Sequence, residues 1–206
     1  MIPHDSSRQD KSHLPTCSGK RFCLQAPEAA QIDIKDIAHG LAYQCCYNGQ
    51  TSYFYSLAQH SLLVASLVPA QHRLAALLHD AAAAYFGDMA RPVRLLLPDF
   101  PALERKLMAA VGEKFAVADF NVPAIRRAHQ IALATEQRDV LPEPGPMGKL
   151  PGRAAPIPRR IDFMSPEEAK YQFLERFAQF TRQAAASKPL SAGAPGLGLT
   201  FGISTH

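Results

Sequence analysis

A chain of 206 residues, 47% of them apolar, is long enough to enclose one real core and is not a small scaffold that depends on staples. The net charge of +4 comes from Lys and Arg scattered along the sequence, which argues against a dedicated nucleic-acid surface and stays compatible with an anionic small substrate. Cys17, Cys23, Cys45 and Cys46 show no repeated CxxC spacing, Met1 to His13 is polar, and no run approaches the ~18 apolar residues of a membrane span, so the expected location is cytoplasmic.

In chain order, residues 1–15 read as a flexible N-terminus and residues 16–183 as a single domain, with a disordered tail over 184–206, where Gly, Pro, Ser and Ala replace any periodicity. Thr16 to Gln25 suits a short, peripheral hairpin turning at Ser18-Gly19-Lys20. Asp33 caps a helix carrying Ile34, Ile37, Ala38 and Leu41, which ends near the loop Tyr47-Asn48-Gly49. Ser56 and Gln59 form a capping box that puts His60 in the first turn of the next helix. A further helix is expected from about Pro69 to Tyr85, stopping before Gly87. Pro101 opens one whose Leu103, Leu107, Val111 and Phe115 share a face, and Pro123 starts the helix of Ile125, Ala128, His129, Ala132 and Thr135. Pro142 to Pro158 is a long loop, after which Ser165, Pro166 and Glu168 announce a last helix with a packing stripe of Phe173, Leu174, Phe177 and Phe180. The fold class is all-α.

The chemistry concentrates at His79-Asp80, inside the apolar run Ala75-Ala76-Leu77-Leu78-His79-Asp80-Ala81. A carboxylate on a face meant for the core costs several kcal/mol unless it is paired or holds a cation. His60 lies about twenty residues upstream on a second apolar helix, and the two elements together supply imidazole and carboxylate ligands for one metal.

With its order of helices and the segments Ile32 to His39, Phe54 to Ser61, Leu77 to Ala82, Tyr85 to Asp88, Arg91 to Arg94 and Ala134 to Asp139, the chain resembles the HD superfamily of metal-dependent phosphohydrolases. The resemblance spans about Thr16 to Arg182 and is nearest the small single-domain branch with bacterial 5′-deoxyribonucleotidases and phage dATP triphosphohydrolases. It implies an HD-domain helical bundle with one divalent metal ion (Mn, Co, Fe, Ni, Zn or Mg) held by His60, His79 and Asp80, and by His129 where the family usually has Asp. It also implies that Asp88 manages a proton, that Arg94 faces substrate phosphates, and that Cys46 and Tyr47 occupy the place of a phosphate contact. Two further positions depart from the family: Cys46 stands where an Arg is usual, and Ala83 where a Glu orients the attacking water. The expected function is hydrolysis of a nucleotide or deoxynucleotide phosphate, and a homodimer is compatible. The alternative is a catalytically impaired relative that keeps metal and nucleotide without efficient turnover.

Overall fold

In the computed structural model, which describes residues 13–143 and 154–186, the chain enters through an antiparallel hairpin of β1 (His13–Pro15) and β2 (Arg21–Cys23), with His13 opposite Cys23. The hairpin begins earlier than its sequence signal, inside the segment read as the N-terminal tail, because the reversal occupies Thr16 to Lys20 with Gly19 at φ 79°. Nor is it peripheral. Phe22 is fully buried and stacks on Tyr85 with ring centroids 4.2 Å apart, worth roughly 2–3 kcal/mol as buried apolar surface. The Asp36 carboxylate accepts from the Ser18 backbone N–H at 2.7 Å and the Ser18 hydroxyl at 2.8 Å, tying the turn to the first helix.

That helix is α1 (Ile34–Tyr43), capped by Asp33, whose side chain accepts from the Lys35 N–H. After a 3₁₀ turn at Cys46–Gly49 comes α2 (Leu57–Ser66), which opens with the expected Ser56/Gln59 capping box. Next are α3 (Arg73–Leu77), α4 (Ala83–Phe86), α5 (Arg91–Leu95), α6 (Phe100–Phe115), α7 (Pro123–Asp139) and α8 (Pro166–Ala186). The protein is therefore all-α with one small N-terminal hairpin. In the middle, α2 packs against α1, α3, α7 and α8. Val64, Leu77, Ile125 and Phe173 from these helices, with Leu107 and Val111 from α6, are buried in the core. No helix among the described residues is long and apolar enough to cross a membrane.

The sequence pattern reads one helix from Pro69 to Tyr85, and here the structure differs. After α3 the chain leaves α geometry from Leu78 to Ala82, with three-residue bonds from Ala81 N–H to Leu78 O (3.0 Å) and from Ala83 N–H to Asp80 O (2.9 Å). The reason is local competition. The His79 ring takes the Ala76 carbonyl at 2.7 Å, the oxygen that an α-helix would give to the Asp80 N–H. Nearby, α1 and α4 touch at Gly40, where an added Cβ would lie 2.7 Å from the Ala84 carbonyl oxygen. Gly87 then ends α4 at φ 86°.

Ser165 caps α8 through the Glu168 N–H, as its sequence signal indicates. Phe173 and Phe180 are buried, and Phe177 packs against Phe115, so the aromatic stripe is core. This helix runs to Ala186, past the start of the expected tail, while the rest of that tail and the middle of the Pro142 to Pro158 loop lie outside the described residues.

Candidate metal centre

Three imidazoles converge where α2, the break after α3, and α7 meet. His60, His79 and His129 each present a ring nitrogen, and these atoms lie within 4.8 Å of one another. Their ring centroids are 5.1 to 5.5 Å apart. His60 is placed by the α2 capping box, His79 by its bond to the Ala76 carbonyl, and His129 by the inward face of α7, one turn from buried Ala132. Asp80 joins them, its Oδ2 3.3 Å from His79 Nε2 and 3.6 Å from His60 Nε2.

The outer nitrogens settle which atoms face inward. Glu136, 1% exposed, lies 2.6 Å from His60 Nδ1, and because an ionised carboxylate only accepts, the ring donates there and keeps Nε2 free. Tyr47 and Tyr55 hold the same carboxylate, donating at 2.5 and 2.9 Å. In the same way, His79 spends Nδ1–H on a carbonyl and turns Nε2 inward, where that atom is buried without a hydrogen-bond partner among the described residues. A buried nitrogen lone pair beside a carboxylate and two further imidazoles is what a divalent cation of the Zn, Mn, Co or Fe kind satisfies. The carboxylate behind His60 is the usual means of aiming a ligating histidine.

Charge in the pocket points the same way. Burial works against a charged His60, but the adjoining Glu136 carboxylate outweighs it and raises the ring to about 9. Burial, followed by repulsion from His60 and His79, drops His129 to about 4, and burial lowers His79 as well. Asp80, partly exposed, and Glu136, buried, are both held below the usual carboxylate range by their histidine neighbours, against the opposing effect of desolvation. The cluster thus demands positive charge, which a proton on His60 provides and a cation shared by all three rings provides better.

Beside His79 and Asp80 opens a cavity of about 60 Å³, walled in part by Asp88, Arg94, Glu104 and Ala83. The structure therefore brings Asp88 and Arg94 to the HD pair. Asp88 accepts from the Tyr47 N–H at 3.0 Å, and burial raises its carboxyl above the ordinary range. Arg94 is ion-paired with Glu104. Cys46 differs from its expected place as a substrate contact: it is 4% exposed, and burial keeps its thiol protonated. Tyr47 serves Glu136 and Asp88 from a left-handed backbone at φ 56°.

In the sequence, Glu136 and Asp139 stand three residues apart around Arg138, a pattern that fits an ion-pair network as well as a substrate role, and nothing there singles out Tyr55. Glu136 sits seven residues after His129, two helical turns on the same face of α7, and that spacing was the available signal.

Fold and site together define an all-α protein with a three-histidine group, one ring buried and two half-buried, that could hold a metal ion. The chain belongs to the family of YfdR, an uncharacterized protein of Escherichia coli K12, with which it shares 36% identity over 167 residues, covering 81% of this chain and 94% of YfdR. It is also 42% identical over 125 residues to an uncharacterized protein of Rhodobacter capsulatus, a match covering 56% of this chain and 64% of that protein. No family model matches the chain.

Proposed function

We propose that this protein is a metal-dependent phosphohydrolase of the HD type, acting on a nucleotide or deoxynucleotide phosphate. The observation that carries the reading is the convergence of His60, His79, Asp80 and His129, with His79 Nε2 buried beside the Asp80 carboxylate and without a hydrogen bond among the described residues. A divalent ion held there supplies Lewis acidity, acidifying water and offsetting phosphoryl charge. The chain's own groups do the rest. Asp88, half-buried and raised in pKa, takes and returns a proton at the cavity wall, and the Tyr47 N–H keeps its Oδ2 in place. Arg94 holds phosphate oxygens after exchanging its Glu104 partner for them. A cavity of about 60 Å³ accepts a phosphoryl group and leaves base and sugar at its mouth.

A second reading rests on Arg94 and Ala83. With the guanidinium already neutralised by Glu104, and a methyl group at position 83 on the cavity wall, the site lacks a free phosphate clamp and a carboxylate to orient water. On this reading the protein keeps metal and nucleotide without efficient turnover. Assays of deoxynucleoside mono- and triphosphates with Mn²⁺ and Co²⁺ separate the two. Turnover by the unmodified chain that disappears in His79→Ala supports the hydrolase. Turnover that arises only after Ala83→Glu supports the impaired relative, and a chain that binds no metal overturns both.

A further inference from the structure

Next to α2 lies a larger, open cavity, about 430 Å³, lined by residues of α2, α3, α8 and the segment 157–164. This is within the range of small-molecule sites. Four arginines line it (Arg73, Arg159, Arg160 and Arg176) against one carboxylate, Asp162. Two of the four are engaged, Arg159 with Asp162 and Arg160 with Asp139. Among the described residues, Arg176 donates to the neutral Gln179 amide oxygen. Arg73 is the informative one: half-buried, with its guanidinium 6.0 Å from the centre of the Phe180 ring, it has neither a hydrogen bond nor an ion pair among the described residues. A guanidinium carries five donors and never loses its charge, so at the wall of a roomy cavity, near an aromatic ring and with no protein acceptor among the described residues, its donors are open to an anion. Phe180, Met164 and Leu62 provide an apolar lining beside it.

We propose that this cavity binds a small organic phosphate, its phosphate held by Arg73 and Arg176 and its ring-sized apolar body lying against Phe180 and Met164. The site is separate from the metal centre but shares a wall with it: Tyr55 and Gln59 line the cavity, Tyr55 donates to the carboxylate that holds His60, and Gln59 directly precedes His60. The inference does not depend on hydrolase activity.

Calorimetric titration of the full chain, dialysed against EDTA, tests it with AMP, adenosine and inorganic phosphate as probes. AMP binds without metal, and adenosine and phosphate each bind at least about tenfold more weakly, because each lacks half of the recognised chemistry. Arg73→Gln weakens AMP by about tenfold or more, whereas the exposed control Arg105→Gln does not. Arg176→Glu, at an exposed position that leaves the core untouched, abolishes binding by putting a like charge at the phosphate. The proposal is overturned if AMP does not bind, if adenosine or phosphate equals it, if Arg176→Glu binds it normally, or if binding requires Mn²⁺ and vanishes in His79→Ala, which would place the nucleotide at the metal centre.

Discussion

Two carboxylates one turn apart on α7 perform opposite tasks. Glu136 is 1% exposed and answers inward, to His60, Tyr47 and Tyr55. Asp139, 3% exposed, answers outward: it accepts two bonds from Arg138 at 2.7 Å, one from Arg160 at 2.6 Å and one from the Ile161 N–H at 3.0 Å. Arg138 extends the same clamp to the Ile157 and Arg159 carbonyls. The first carboxylate aims a ligand and the second fastens a loop. A buried acid is thus read by its partners: with histidine and phenols it belongs to a site, and with arginines and backbone to the scaffold.

The comparison breaks most visibly at the ligands. His79→Ala removes the unpartnered nitrogen and should lower metal affinity by more than the roughly 10–100-fold typical of losing an outer partner, as read by equilibrium dialysis with Mn²⁺ and Co²⁺. Glu136→Gln keeps the shape but loses the charge behind His60, and the same measurement should show a loss of about 10–100-fold. Asp139→Asn should leave metal affinity unchanged and cost about 1–2 kcal/mol of stability in urea unfolding near neutral pH. Its sign with pH follows from direction. Hydrogen bonds from Arg138, with those from Ile161 and Arg160, depress the Asp139 carboxyl, so its contribution is fully present above the unfolded value near ~3.9 and is lost as pH falls through the lower folded value. The gap between wild type and Asp139→Asn should therefore be widest at pH 7 and close in strong acid. A metal effect from Asp139→Asn equal to that of Glu136→Gln would erase the distinction. The smallest effect belongs to Tyr55→Phe, which removes one of three bonds to Glu136 and should cost about 1 kcal/mol with only a few-fold change in metal affinity.

The helix starts were legible because they rest on local chemistry. The caps at Asp33, Ser56 and Ser165 and the prolines at positions 101, 123 and 166 each stand where a helix begins in the structure. The break at Leu78–Ala82 was not legible. Alanine and leucine there satisfy helical periodicity, and only the His79 ring's claim on the Ala76 carbonyl interrupts it. The hairpin's depth was hidden for a similar reason: two three-residue strands carry little signal, and Phe22 is buried by Tyr85, sixty-three residues away.

From residue types and spacing alone came the all-α class, most helix starts, and His60, His79 and Asp80 as the residues to watch, since caps, periodicity and ligand chemistry depend on near neighbours; His129 came from the family resemblance. Tertiary structure alone decided that the three rings point at one another, that Glu136 stands behind one of them, and that Arg73 lines a cavity with no hydrogen-bond acceptor of its own among the described residues. Those facts depend on distances between elements far apart in the chain, and such distances are set by how α2, α3, α7 and α8 bury their faces together.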